Sequence, residues 1–259
     1  MHALKLKEVM ESARLKVKAA NRHIDQMVAH QAPLPEHLYT MRVEHRTVAP
    51  LRVPDCDRVI YHPKEPISKY FGAAMGDAVN NLRESLDYWV RAAVKCVGPG
   101  KQLHFPFSEE RNFLEKSNYF NQLEKTFPDL AAFIANKIEP CRDTNLYLWA
   151  ATSLCNDNKH SDFIPVVTVS KVVGDELKIG GATISNFSAG GNANIPYGIV
   201  QVPFGRWPKE TKFTVSVELL FPKGAIFEYK PVGPTLRTMS EVVGKALDDL
   251  EGFISPYCK

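Results

Sequence analysis

The chain has 259 residues, of which 44% are hydrophobic and 24% charged, and a formal net charge of +3. This composition can bury a core of normal size and excludes a globally disordered chain. The small positive charge permits a nucleic acid or another polyanion as partner without requiring one.

The five cysteines are widely spaced and contain no C-x-x-C motif, which argues against a disulfide framework or a zinc site. No apolar run approaches the roughly 18 to 20 residues that cross a bilayer, and the N-terminus lacks a signal-peptide pattern. We therefore predict a cytoplasmic protein with reduced thiols and no membrane span.

The N-terminal half begins with a long helix. Apolar residues recur every three or four positions over residues 3–31, and Pro33 and Pro35 end the pattern. The same stretch is basic, because residues 1–22 hold six Lys or Arg against two Glu. These charges form either a solvated helix face or a surface that meets a partner. Residues 38–62 then alternate between apolar and polar side chains, which predicts a β-hairpin.

The middle of the chain is helical. Residues 67–97 carry the longest apolar stripe and predict a central helix, and residues 101–142 indicate short helices separated by prolines. Residues 143–160 predict another buried helix, with Asp143 or Thr144 as its N-cap.

Residues 163–230 are rich in β-branched and aromatic runs separated by turn residues, which predicts antiparallel strands. The predicted strands are Ile164–Val173, Leu177–Ile184, Ile199–Phe204, Phe213–Phe221 and Ala225–Tyr229. The predicted turns are Gly174-Asp175, Gly180-Gly181, Gly190-Gly191-Asn192, Trp207-Pro208-Lys209 and Pro222-Lys223-Gly224.

Residues 235–255 return to helical periodicity, and this stripe has to pack on the earlier helices. We predict one α+β domain over residues 1–259: a bundle of about four main helices with an antiparallel β-sheet inserted before the C-terminal helix. The helical parts are 1–35, 65–160 and 235–255, and the β insertion is 163–230.

One polar cluster interrupts the apolar central helix. Asn80, Arg83 and Asp87 share one helix face, and Arg83 and Asp87 at spacing i, i+4 can pair. Because a buried charge is costly without a partner, this cluster is either a structural ion pair or a site where Arg83 holds an anion.

A second polar cluster ends the helix of residues 143–160. Asn156, Asp157, Lys159 and His160 follow a buried stretch, and an imidazole suits proton transfer near neutral pH. The same residues also fit an ordinary helix C-terminus, where the helix dipole favours Lys and His.

No metal or cofactor motif stands out. Asp55, Cys56 and Asp57 with His62 are metal-ligand types, but their spacing matches no metal motif, and we interpret residues 55–57 as a loop. We predict neither a metal nor another cofactor.

Two resemblances rest on these clusters. The stretch from Gly76 to Asp87, with its Gly-Asp, Asn-Leu-Arg and Leu-Asp elements, resembles a helix signature of a family of uncharacterised bacterial proteins. That family also carries an Asp-Lys-His motif similar to residues 156–160. A weaker similarity links the chain to the HEPN superfamily of helical-bundle nucleases, which cleave RNA with an Arg and a His on one helix. Here the residue five positions after Arg83 is Tyr88, so His160 would have to replace the missing histidine.

Two functions remain open. The first is a binding or interaction protein whose polar clusters form an internal network, with a protein partner on its sheet or basic helix. The second is a metal-independent, ribonuclease-like or nucleotide-acting enzyme. In that enzyme Arg83, Asp87, Asp157 and His160 would be catalytic, and Arg83 and Lys159 would bind phosphate. Asn80, Asn156 and Lys159 would bind the substrate, a nucleic acid or another phosphate-bearing ligand.

Overall fold

The computed structural model describes residues 2–48, 53–98, 103–160, 166–179, 182–203 and 212–258. The chain divides into two compact units. The helical unit comprises Met1–Asp25, Ala73–Ile164 and Gly233–Lys259, and the sheet unit comprises Gln26–Gly72 and Pro165–Val232. Whether the whole chain folds as a single cooperative domain stays a prediction.

The described residues form seven α-helices and six strands, which confirms the α+β class. The α-helices are α1 His2–Ala29, α2 Ile67–Val97, α3 Arg111–Leu114, α4 Asn118–Thr126, α5 Pro128–Phe133, α6 Leu146–His160 and α7 Val232–Ile254. The strands are β1 Tyr39–Val48, β2 Val53–Pro63, β3 Val167–Ile179, β4 Ala182–Asn192, β5 Tyr197–Pro203 and β6 Phe213–Leu220. Short 3₁₀ helices span Glu36–Leu38 and Ser255–Cys258, and a π-helical turn spans Ile134–Ile138.

In the helical unit, α1 lies antiparallel to α7. The Ser240 hydroxyl donates to the Asn21 amide oxygen at 2.7 Å, and Arg14 pairs with Asp248 at 2.7 Å. One face of α1 is buried, as Ala13 and Ala20 show. The periodic apolar stripe predicted for this helix therefore does face a protein core.

The central helix α2 is as buried as its sequence predicts. Its core side chains recur at steps of three and four, and they are Met75, Ala78, Val79, Leu82, Leu86, Trp89, Val90 and Ala93. Among the described residues, no helix combines the length and the apolarity needed to cross a bilayer.

The N-cap predicted for α6 is corrected by the structure. Asn145 caps the helix, because its side-chain oxygen accepts the backbone N–H of Leu148 at 3.3 Å. The two predicted caps are used elsewhere: Asp143 accepts the backbone N–H of Arg111, and the Thr144 hydroxyl donates to the carbonyl of Glu139.

The sheet unit contains two three-stranded antiparallel sheets, in the orders β1-β2-β5 and β4-β3-β6. The predicted hairpin is confirmed, since β1 pairs with β2 from Tyr39 opposite Pro63 onward. Residues 55–57 lie within β2 and not in a loop, so that interpretation was wrong. Strand β5 joins this N-terminal hairpin although it follows β4 in the chain. The other three strands of the β insertion form the sheet β4-β3-β6 among themselves.

Three details of the predicted strands were wrong. Gly174 lies inside β3 opposite Phe187, and Gly190 and Gly191 lie inside β4, with the turn beginning only after Asn192. Residues 225–229 form turns and not a strand, and the chain bends there through Gly224 at φ +81°. The turns predicted at 180–181 and 207–209 lie outside the described residues.

Candidate functional site

The carboxylate of Asp87 on α2 is the centre of a polar network in the helical unit. Its Oδ1 atom accepts the backbone N–H of Phe105 at 2.7 Å and lies 2.5 Å from Nη1 of Arg83. Its Oδ2 atom lies 3.1 Å from Nδ1 of His104. Both oxygens of a carboxylate with only 12% of its side chain exposed therefore have partners.

Arg83 connects α2 to α6. Its Nε atom donates to the hydroxyl of Thr152 at 3.2 Å, and its guanidinium lies over the ring of Phe107 at 4.8 Å. The Nη1 contact with Asp87 is an ion pair that lacks the alignment of a hydrogen bond. The side chain is 12% exposed, so the guanidinium is mostly withdrawn from solvent and held from three sides.

His104 is the most exposed member of the network. Its side chain is 39% exposed, and its ring centroid lies 5.2 Å from that of Tyr119. An ionised carboxylate can only accept, so Nδ1 of a neutral imidazole would donate to Asp87. The other ring nitrogen then keeps its lone pair for a proton or a ligand.

The extended segment 103–107 brings His104 to this place. Leu103 and Phe105 are buried on either side of it, and the carbonyl of Leu103 accepts from Nε of Arg91 on α2 at 3.2 Å. Two contacts with α2 therefore hold the segment: Arg91 at residue 103 and Asp87 at residue 105.

Of the residues predicted from the sequence, the structure brings Arg83 and Asp87 together as expected from their spacing. Asn80 is one turn away, where its amide oxygen accepts from the thiol of Cys155 on α6 at 3.0 Å. Asn156 and Asp157 are exposed on the C-terminal part of α6. The side chains of Lys159 and His160 lie outside the described part of the chain.

The backbone of α6 gives the position of His160 along the helix axis relative to Arg83. The pairs Arg83 with Thr152 and Asn80 with Cys155 show that the two helices run antiparallel in contact. At 1.5 Å per residue, His160 lies about 12 Å further along the helix axis than Thr152. Arg83 and His160 are thus at different levels of the helix pair, and their convergence stays a prediction.

Sequence reasoning missed His104, Phe105 and Thr152. The available signal was a histidine between two apolar residues in the Leu103-His104-Phe105-Pro106 stretch, an alternation that indicates extended backbone with the imidazole outside. Nothing in the spacing from Asp87 to His104 reveals that they meet.

Burial is the main cause of two clear pKa shifts, one in each unit. Burial, then a hydrogen bond with Cys96, raises the pKa of the Cys258 thiol to about 12. Burial also raises the pKa of the Tyr61 phenol well above its usual range, helped by Tyr197 and Tyr39.

The structure offers no resident metal site in the part that it describes, since no group of three or more His, Cys, Asp or Glu side chains is suitably placed there. A cleft of about 270 Å³ in the helical unit is lined by other residues, among them Lys137, Asn145, Lys245 and Asp249. The Asp87 network does not line that cleft.

No protein-family model, curated protein or solved structure matches the chain. The interpretation of the site therefore rests on its own geometry.

Proposed function

We propose that the chain is a binding or interaction protein and that the Asp87 network is its internal scaffold. The observation that carries the proposal is the complete use of the Asp87 carboxylate by Arg83, His104 and the backbone of Phe105. The Asp87 carboxylate holds segment 103–107 against α2, and Arg83 connects α2 to α6 through its hydrogen bond with Thr152.

A protein is the favoured partner, within the cytoplasm that the widely spaced cysteines suggest. The basic first helix offers less free charge than its sequence suggests, because Arg14 pairs with Glu251 and Asp248, and Lys16 pairs with Glu84. Hydrogen bonds with Glu251 and Asp248 also raise the pKa of Arg14 above its ordinary value. A polyanion would have to compete with these carboxylates, and phosphate contacts supply most of the affinity for nucleic acid.

The test is the thermal and urea-induced unfolding of the Arg83→Ala protein. Removing one partner of a mostly buried ion pair typically costs about 3–5 kcal/mol, because the remaining charge is left uncompensated. The matched control is Arg237→Ala, which removes a half-exposed arginine that pairs with Asp25 at 2.9 Å. We expect a loss below about 1 kcal/mol for this control. An Arg83→Ala protein as stable as the control would refute the scaffold.

A second function is favoured by one contact, that between Asp87 and His104. An imidazole oriented by a carboxylate through one nitrogen is the arrangement of a general base. On RNA, His104 would take the proton of a 2′-hydroxyl, whose oxygen would attack the adjacent phosphorus. The 5′-oxygen would leave with a proton from solvent, and Arg83 would have to exchange its ion pair with Asp87 for the phosphate to stabilise the phosphate charge.

This second function is tested by incubating the chain with single-stranded RNA in the presence of EDTA. We expect His104→Gln to lower cleavage by about 10²- to 10⁴-fold while lowering the melting temperature less than Arg83→Ala does, because His104 is the more exposed of the two side-chain partners of Asp87. His160→Gln tests the histidine that the sequence favoured, and His37→Gln is an exposed control in the sheet unit. Absence of cleavage by the parent protein, or full activity of His104→Gln, would exclude this role of His104.

A further inference from the structure

A cleft of about 650 Å³ in the sheet unit has the size of a small-ligand site. One side is built by the residues at the end of α1, and the other by sheet β4-β3-β6. The lining residues used below are Gln31, Val169, Lys171, Gly190, Ser216 and Glu218.

The segment after α1 is fixed against the edge of this sheet. The backbone N–H of Val217 donates to the carbonyl of Gln31 at 2.7 Å, and the N–H of Leu34 donates to the carbonyl of Val215 at 2.6 Å. Residues 31–34 thus lie along β6, and the side chain of Gln31 is held at the wall of the cleft.

The amide of Gln31 indicates that the cleft accepts a ligand. Its Nε2 atom is buried and has no hydrogen-bond partner among the described residues. A buried donor without an acceptor is costly, so such groups are uncommon in folded proteins. A rotation of the Gln31 side chain, which lines the cleft, would bring this nitrogen out of its buried position to a carbonyl or carboxylate oxygen of a bound molecule.

Two exposed charges of opposite sign define what else the ligand carries. Lys171 lies opposite Ser216, and Glu218 is two residues further along β6. Such diagonal neighbours lie about 7–8 Å apart on one face of a sheet, with their Cβ atoms somewhat closer. An extended dipeptide spans about 7 Å between its ends, because each residue adds about 3.5 Å.

The surface between these charges carries small side chains and is partly apolar. Gly190 lies opposite Lys171 on β4 and has no side chain, and Ser216 has a small one. Val169 is 42% exposed on the same face. A peptide with small or aliphatic side chains could therefore lie flat on the sheet.

We propose that this cleft binds a short peptide with two free termini. Gln31 and Lys171 bind the carboxylate, and Glu218 binds the ammonium group. The site lies within the sheet unit and does not rest on the Asp87 network, so failure of peptide binding would leave that scaffold intact.

The experiment is isothermal titration calorimetry of the full chain with the dipeptide alanyl-leucine as probe. The comparison peptides are its N-acetylated form and its C-terminal amide. We expect saturable binding of the free dipeptide and binding about tenfold weaker for each blocked form, since each loses a charge-assisted contact. Equal binding of all three peptides, or no saturable heat up to millimolar concentration, would overturn the proposal.

Two variants assign the contacts. Gln31→Leu keeps the side-chain volume and should weaken binding about tenfold while leaving the free protein at least as stable, because it removes a buried donor. Glu218→Gln should abolish the discrimination between the free and the N-acetylated dipeptide. Lys223→Met removes an exposed lysine elsewhere in the sheet unit and should bind like the parent.

If Gln31→Leu does not fold, Glu218→Gln on the exposed sheet face carries the test. Undiminished discrimination by Glu218→Gln, or unchanged affinity of a folded Gln31→Leu protein, would contradict the proposed contacts.

Discussion

Two polar networks, one in the helical unit around Asp87 and one in the sheet unit around Tyr61 and Tyr197, differ in chemistry. In the helical unit the contacts are charged, with Asp87 between Arg83 and His104. In the sheet unit Asp57 is also buried, but the tyrosine contacts are neutral, as where the Tyr61 hydroxyl donates to the carbonyl of Ala193 at 3.0 Å. The Ser170 hydroxyl likewise lies 2.9 Å from the Tyr197 oxygen.

This difference has an energetic consequence. Removing one member of a charged pair leaves a charge without compensation, whereas removing a neutral hydroxyl leaves a single unmet acceptor. The helical unit should therefore be more sensitive to polar substitutions, and the sheet unit to substitutions that disturb packing. The four predictions below test this contrast, beginning with the largest effect.

Asp87→Ala should give the largest loss, about 3–5 kcal/mol of unfolding free energy, because Arg83 loses its counter-charge and the N–H of Phe105 loses its acceptor. Urea denaturation of the purified proteins measures it. Asp25→Ala, which removes the exposed partner of Arg237, is the matched control. Equal losses for the two variants would contradict the contrast between buried and exposed charges.

Gly174→Ala should cost about 1–3 kcal/mol, a packing effect in the sheet unit. A Cβ atom at this position would overlap the ring of Phe187, which covers the glycine from the paired strand. The double variant with Phe187→Ala has room for the new methyl group and should lose less than the sum of the two single losses. Strict additivity of the two losses would show that the overlap does not determine the effect.

Alkylation of Cys258 should depend unusually on pH. Since burial and Cys96 raise the pKa of this thiol to about 12, its thiolate fraction grows about tenfold per pH unit below that value. The rate of reaction with iodoacetamide should still rise between about pH 9 and pH 11, where an ordinary thiol with a pKa of about 8.5 has levelled off. Mass spectrometry of the C-terminal peptide follows the reaction, and a plateau near pH 9 would contradict the prediction.

Tyr61→Phe should give the smallest loss, about 1 kcal/mol at neutral pH, because one neutral hydrogen bond to Ala193 disappears. The raised pKa of Tyr61 means that the folded state keeps the phenol proton where the unfolded state has released it. Stability should therefore fall as the pH rises above about 10, the usual pKa of a tyrosine.

The variant lacks this contribution, so the unfolding free energies of parent and variant should approach each other at alkaline pH. The pKa values of Tyr39 and Tyr197 are also raised, so these two residues cause part of the fall in stability at alkaline pH in both proteins. A gap that stays constant up to pH values above 10 would be evidence against a buried, protonated Tyr61.

The positions of the main helices followed from local patterns. The stripe over residues 67–97 predicted α2 with the bounds Ile67–Val97, and α7 begins only three residues before its predicted start. The i, i+4 spacing of Arg83 and Asp87 also predicted their ion pair. Helix periodicity and i, i+4 contacts involve neighbours along the chain, so the sequence contains them directly.

The sheet unit shows where local patterns were insufficient. Gly174 was interpreted as a turn residue, but the ring of Phe187 from the paired strand occupies the space above it. Strand β5 pairs with β2, whose partner residues are more than a hundred positions earlier in the chain. Strand pairing depends on contacts that are distant in sequence, and turn residues alone do not specify them.

By itself, then, the amino-acid sequence determined the α+β class, the long helices and the charged pair on α2. Each of these depends on the types of residues that are close to one another along the chain. Only the tertiary structure decided that His104 reaches Asp87, that Asn145 caps α6 and that Gln31 faces a cleft of the sheet unit. In each of these cases the packing of separate segments determines what surrounds a polar group. Burial then determines whether that group needs a hydrogen-bond partner.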